Sequence, residues 1–257
     1  MRNIALSALD LAPIKKGCTT SEAYNRTIKI AQHIEQLGYK RIWVAEHHNM
    51  EYIASSATSL VIQHIAANTK SIRVGSGGIM LPNHSPLVIA EQFGTLETLY
   101  PNRIDLGLGR APGTDQETAM ALRRNNFNTA YQFPQDVAAL QQYFSDDNAD
   151  SKVRAFPAEG LNVPLYILGS STDSAYLAAS LGLPYAFAAH FAPAQLAKAS
   201  EIYHQNFKPS ASLSAPYFIV CVNVIAAKTT EEAELQSTSV KNLFAGILTH
   251  TRVPLSP

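Results

Sequence analysis

The sequence predicts an α/β protein, a TIM-like (β/α)8 barrel in which seven strands are evident. Three observations carry this. Apolar strand patterns and helix patterns alternate along the chain with regular Gly and Pro punctuation, the signature of βαβ units. The length, 257 residues, is close to the roughly 250 typical of one such barrel. The apolar run Ile42 to Ala45 ends abruptly in Glu46, His47, His48 and Asn49, as a buried strand does when its C-terminal end carries chemistry.

The elements follow in order. Asn3–Leu9 reads as the first strand. Ser21 followed by Glu22 opens a helix that continues over Ala23–Leu37 and stops at Gly38. Arg41–Glu46 is the second strand and Ser55–Asn68 its helix. Ile72–Ile79 is the third strand, and Pro86, in a favoured first-turn position, opens a helix to about Tyr100. Arg103–Gly109 is the fourth strand. Leu165–Leu168, Tyr185–Ala189 and Tyr217–Ala226 are the fifth to seventh, each followed by a helix: about Asp173–Leu181, Pro193–Phe207 and Thr230–Leu248. No strand pattern follows over Thr251–Pro257, so the expectation is either a truncated chain or a gap between the seventh and first strands filled by a partner or by the chain's own tail. The stretch Arg110–Pro164 is too long for an ordinary connection. It holds helix patterns at Gln116–Arg124 and Phe133–Phe144 and a polar excursion, Ser145–Ser151. The chain therefore reads as one domain, 1–257, with an insertion or lid at about 110–164.

Composition bounds the function. Lys plus Arg equals Asp plus Glu at 20 each, so no electrostatic argument favours nucleic acid or an anionic membrane. Cys18 and Cys221 are far apart, which indicates neither a disulfide framework nor a cysteine zinc site. The N-terminal segment has no signal-peptide core, and no apolar run approaches the ~20 residues of a membrane span. A cytoplasmic protein is the expectation.

Four segments carry candidate chemistry. His47 and His48 follow the second strand on the face where barrel sites form; adjacent residues on an extended chain point opposite ways, so one of them faces the centre. The bland alternative is a hydrogen-bonded structural histidine. A zinc site would need His84 and His190 to converge by fold alone. In Gly75-Ser76-Gly77-Gly78, three glycines in four strand positions suggest a bulge pressed against something flat, or else close helix packing. Arg110 ends the fourth strand where it can clamp a phosphate or carboxylate, or tie down a loop. Gly169 to Ser174 opens a helix with the hydroxyls of Ser170, Ser171, Thr172 and Ser174 around backbone N–H groups, more than N-capping requires and suited to a phosphate.

These motifs together resemble the bacterial luciferase-like flavin-dependent monooxygenase superfamily. The resemblance covers nearly the whole chain: Trp43–His48, Val74–Pro82, Pro101–Arg110, Leu168–Ser174 and Leu181–Pro184. It implies a barrel that binds FMN across its C-terminal strand ends. It places His47 as the active-site histidine, Gly77-Gly78 as the non-prolyl cis peptide beneath the flavin ring, and Arg110 with the Ser170–Ser174 turn as phosphate binders. Three departures stand out. The reactive cysteine of the luciferases proper is Gly109 here, which argues against light emission with a long-chain aldehyde. A second phosphate-binding arginine has no clear match, Arg123 and Arg124 being substitutes. The family's last turn, helix and eighth strand are absent.

The function so implied is oxygenation of a small organic substrate by reduced FMN (FMNH2) and O2, the reduced flavin coming from a separate flavin reductase because the chain has no nicotinamide-binding fingerprint. The resemblance also suggests a homodimer through the early helices. Two alternatives remain: an F420-dependent hydride-transfer oxidoreductase, and a non-catalytic flavin-binding protein.

Overall fold

The computed structural model describes residues 4–111, 113–123 and 130–249. Asn3, Arg124 and the tail 251–257 lie outside the described residues. Seven strands are present among those described, all parallel and hydrogen-bonded in chain order. They are β1 (Ser7–Asp10), β2 (Arg41–Val44), β3 (Arg73–Met80), β4 (Ile104–Gly109), β5 (Leu165–Gly169), β6 (Tyr185–Ala188) and β7 (Phe218–Cys221). The helices are α1 (Thr20–Gln36), α2 (Thr58–Ala67), α3 (Pro86–Leu99), α4 (Gln116–Arg123), α5 (Phe133–Phe144), α6 (Thr172–Leu181), α7 (Leu196–Asn206) and α8 (Thr230–Thr249).

The period of two in each strand sorts side chains between two cores. Outward residues such as Ile42, Val44, Val74, Leu106, Ile167 and Phe187 pack under the apolar faces of α1, α2, α3, α5, α6 and α7. Inward residues form a smaller cluster: Trp43, Tyr166 and Ala186, with Leu9, Leu168, Tyr217 and Ile219 against them. Trp43 of β2 meets Tyr166 of β5 edge to face at 4.9 Å. Contacts between strands that far apart in the sheet require it to curl on itself. The result is a nearly closed barrel in which β1 and β7 are not paired with each other among the described residues.

Several boundaries differ from the sequence expectation for local reasons. The cap of α1 is Thr19, not Ser21. Its hydroxyl accepts the Glu22 N–H at 3.2 Å, and the Glu22 carboxylate accepts the Thr19 N–H at 2.7 Å, a capping box. β2 stops at Val44, two residues before Glu46. β7 is shorter than Tyr217–Ala226 because β6 alone flanks it, and the pairing ends at Ala188 with Cys221. The helix expected from Pro193 opens with a 3-10 turn, Pro193–Gln195. Within the long connection, α5 packs on α3 in the outer layer, and the polar excursion forms a 3-10 turn, Asp146–Asp150, whose start is capped by the Ser145 hydroxyl.

The candidate active site

The site is built at the C-terminal ends of β2, β3, β4 and β5. Glu46, just past β2, is fully buried. Its carboxylate accepts from His48 Nε2 at 2.8 Å, His84 Nε2 at 2.9 Å, Asn83 Nδ2 at 3.2 Å and the Met80 backbone N–H at 2.9 Å. Its own backbone N–H donates to the Gly78 carbonyl at 3.3 Å. Burial alone would raise its pKa. The bonds from His48 and His84, the His84 charge and the Met80 N–H outweigh burial and bring the pKa down to about 2. An ionised carboxylate only accepts, so His48 and His84 both carry their proton on Nε2 here.

His47 turns the other way. Its Nδ1 lies 3.2 Å from the Gly113 carbonyl, which also only accepts, so Nδ1 holds the proton and Nε2 presents a lone pair. Burial lowers its pKa, and the Gly113 bond and the Glu46 charge only partly oppose that. The imidazole is thus poised as a neutral acceptor or base. A cavity of about 320 Å³ is lined by His47, Asn49, Met50, Glu51, Ile53 and Ser56. The loops after β2 and β4 are tied together beside it. Thr114 Oγ1 donates to the His48 carbonyl at 3.0 Å, and Asn49 Nδ2 to Asp115 at 3.0 Å.

The glycine run forms the wall between β3 and β4. The pairing register shifts between Gly77 and Ile79, the expected bulge, and the Gly77–Gly78 peptide is cis. Ser76 stitches the bulge to β4: its hydroxyl donates to the Gly107 carbonyl at 2.8 Å and accepts the Gly107 N–H at 3.0 Å. A Cβ on Gly77 would stand 2.7 Å from Leu9 Cδ1, and one on Gly78 2.7 Å from the Gly107 carbonyl oxygen. A Cβ on Gly107 would run into the Ser76 carbonyl, and one on Gly109 would stand 2.6 Å from Met80 Sδ. At Gly78 and Gly107 the obstacle is fixed backbone, and at Gly77 and Gly109 it is the movable end of a side chain.

Arg110 lies past the end of β4, and its guanidinium reaches Asp173 in the first turn of α6 at 3.9 Å, both side chains being exposed. That brings Arg110 beside the Ser170–Ser174 turn. Ser171 caps α6 by position but makes no side-chain cap bond, and no side-chain bond is made by Ser170 or Thr172 among the described residues. Ser174 differs: its hydroxyl is engaged inward, donating to the Ser171 carbonyl at 2.7 Å and lying 2.8 Å from the Tyr185 hydroxyl. Of the two candidate substitute arginines, Arg123 ends α4. His190 lies past β6, apart from the Glu46 group. No cluster of three or more His, Cys, Asp or Glu side chains suited to a metal ion is present among the described residues.

The Glu46 hub and the Gly113 carbonyl are the features that sequence reasoning missed. Glu46 and His48 share a face by the period of two, a signal that was available. His84 and Gly113 gave none, being 38 and 67 residues from Glu46 in sequence.

A parallel barrel with acid–base groups and a bare backbone wall at its strand C-termini defines a TIM-barrel enzyme. Residues 6–250 match the luciferase-like monooxygenase family, and the chain belongs to that family. It is an oxidoreductase of the monooxygenase type. A protein described as luciferase-like monooxygenase from Escherichia coli (strain K12) is 55% identical over 243 residues, covering 95% of this chain and 72% of the relative. An N-acetyl-S-alkylcysteine monooxygenase of Bacillus subtilis (strain 168) is 38% identical over 238 residues, covering 90% and 70%. The crystal structure of apo-MsnO8 superposes with a TM-score of 0.93 at 35% identity, covering 99% of this chain and 76% of that one. Two more distant structures share the fold alone. One is the oxygenating constituent of 3,6-diketocamphane monooxygenase in complex with FMN (TM-score 0.74, 17% identity, 96% and 74% covered). The other is an F420-dependent secondary alcohol dehydrogenase (TM-score 0.63, 15% identity, 84% and 68% covered).

Proposed function

We propose that this chain oxygenates a small organic substrate with O2 and reduced FMN that a separate flavin reductase delivers, and that His47 is its catalytic residue. The observation that carries this is the bare wall of Gly77, Gly78, Gly107 and Gly109 beside the neutral Nε2 of His47. Bare backbone there suits a planar ring, and a Cβ at these positions would collide with Leu9, Met80 or the backbone of the neighbouring strand. Arg110, the open N-terminus of α6 and the hydroxyls of Ser170, Ser171 and Thr172 suit the phosphate, with Ser174 bracing the turn from within. Bound reduced flavin supplies the electrons that activate O2.

The chain's own residues do the rest. Gly77 and Gly78 let the ring lie against backbone. Arg110 and the α6 turn orient it through its phosphate. His47, its tautomer set by the Gly113 carbonyl, takes or returns a proton at Nε2. The tied loops after β2 and β4 restrict water at the mouth, as the connection 110–164 would in acting as a lid. The cavity beside His47 is where substrate would sit, at the small end of the range for such pockets. The N-acetyl-S-alkylcysteine relative makes a thioether amino acid the first compound to try. A cytoplasmic location and a homodimer through the early helices complete the proposal.

The test supplies the chain with FMN, a flavin reductase, NADH and ¹⁸O2, and follows label in N-acetyl-S-alkylcysteines and other thioethers by mass spectrometry. Label in product with FMN establishes the activity. Tight FMN binding with no oxygenated product from any substrate favours a flavin-binding role. A second cofactor has support from the F420-dependent fold relative, and preferential binding of F420 over FMN would replace oxygenation with hydride transfer.

A further inference from the structure

Two tripeptides, His47–Asn49 after β2 and Gly113–Asp115 after β4, meet rung by rung. His47 Nδ1 lies 3.2 Å from the Gly113 carbonyl, Thr114 Oγ1 donates to the His48 carbonyl at 3.0 Å, and Asn49 Nδ2 donates to Asp115 Oδ2 at 3.0 Å. The separation along the chain is 66 residues at every rung, so the two segments run parallel and in register. The first rung places the proton of His47. The other two touch neither the ring site nor the reacting nitrogen.

Both sides of this strap are anchored. Gly113 has a φ of +64°, and a Cβ there would stand 2.9 Å from the Glu46 carbonyl oxygen and 3.1 Å from Met80 Cγ, so glycine is needed to seat its carbonyl in that corner. Asp115 caps α4, accepting the Thr118 N–H and the Thr118 hydroxyl, each at 2.9 Å. The Thr118 N–H, the Asn49 amide and the Thr118 hydroxyl hold the Asp115 carboxyl well below the usual carboxylate range, so the third rung keeps its charge at neutral pH. On its far side the loop that carries Asn49 is tied to the loop after β1. The Ile14 N–H donates to the Tyr52 carbonyl at 2.8 Å and the Ala54 N–H to the Ala12 carbonyl at 3.1 Å. The imidazole therefore sits in a frame, and Thr114 makes the rung next to it.

Neutral histidine in water favours its proton on Nε2. At His47 the Gly113 carbonyl reverses that preference. The reversal is only as firm as the carbonyl's position. At 3.2 Å the bond is at the long end of the normal range, and a drift of about half an ångström ends it. We infer that Thr114 is a positioning residue for His47: by donating to the His48 carbonyl it keeps the Gly113 carbonyl on Nδ1, and so keeps Nε2 free of the proton. This rests on the reading of His47 as the base above. A histidine base in the wrong tautomer presents N–H where a lone pair is needed. A complete switch costs on the order of 10⁴ in rate, and a partial one, with Gly113 still packed on Glu46, about tenfold.

The experiment labels histidine with ¹⁵N and follows the two ring nitrogens of His47 by long-range ¹H–¹⁵N correlation at pH 8. Its signals are picked out from those of the eight histidines by their loss in His47→Gln. Thr114→Val and Thr114→Ala differ in volume and both lose the hydroxyl, whereas Thr114→Ser keeps it; thermal unfolding of each runs alongside. Wild type should carry the proton on Nδ1. In the Val and Ala variants the proton should move toward Nε2, labelled product should form about tenfold more slowly, and FMN affinity should stay the same. Thr114→Ser should restore both tautomer and rate. Lost packing would instead separate Val from Ala and leave the tautomer alone. A proton on Nε2 of wild-type His47, or a tautomer that the Val and Ala variants leave unchanged, overturns the inference. A tautomer that moves while product forms at the wild-type rate upholds the hold of Thr114 on the imidazole and removes His47 as the base, so the two readings fail separately.

Discussion

At the scale of single residues, the two groups after β2, one neutral and one ionised, both make stability fall as pH falls. His47 is held neutral by burial, so its pKa in the fold is below the ordinary 6.5. The unfolded chain protonates there first. Its contribution to stability is therefore complete above pH 6.5 and declines as pH falls toward the folded value. Any turnover that uses Nε2 as base should keep its acid limb below pH 6.5, and a pH–rate profile checks this. His47→Ala should retain FMN binding and lower labelled product by about a hundredfold or more; an unchanged product yield removes His47 from the chemistry. Glu46 has the opposite charge and the same sign of linkage. Its pKa drops from 4.5 to about 2, so its stabilisation is present above pH 4.5 and disappears as pH falls through about 2. Urea unfolding between pH 6 and pH 2.5 should show a slope that Glu46→Gln reduces, with a loss at neutral pH of a few kcal/mol from the orphaned donors.

At the scale of elements, β3 and β4 are pressed together by missing side chains, and the glycines are not equivalent. A methyl on Gly77 meets the movable end of Leu9, whereas a methyl on Gly107 meets the fixed backbone of Ser76. Gly77→Ala should fold with a loss of about 1 kcal/mol and weaken FMN, and Gly107→Ala should lose about 3 kcal/mol or fail to fold, as read by urea midpoints. The α6 turn and Arg110 form a second unit whose role is separable from the ring platform. Arg110→Ala should weaken FMN about tenfold and leave riboflavin, which lacks the phosphate, unchanged. Equal losses for both ligands would place Arg110 elsewhere in the site.

At the scale of the whole molecule, the barrel has two unpaired edges among its described residues. β1 is approached by exposed Ile4 and Leu6, and the chain beyond β7 carries Val222 and Val224, all more than half exposed. Apolar side chains beside open strand edges favour association between copies. Val222→Lys should reduce concentration-dependent association in sedimentation experiments without shifting the unfolding midpoint by more than about 0.5 kcal/mol.

Much of this protein is legible in the order of its residues. The seven strands, the bulge at Gly77-Gly78, the helix expected from about Asp173 and the opposed His47 and His48 all follow from periods of two and 3.6 and from glycine chemistry, which act over a few residues. Placing them on one face follows from the handedness and order of βαβ units. The tertiary structure decided the rest. Glu46 became a hub only when the β3–α3 connection delivered Met80, Asn83 and His84 to it. The proton on His47 was placed by a carbonyl 66 residues away. Ser174 turned inward because Tyr185 stands behind it, and Arg41 came to share Asp105 with Arg73 and Trp43. Local pattern sets which residues face the lumen; which of them share a partner is a property of distance in space, and no short-range rule encodes it.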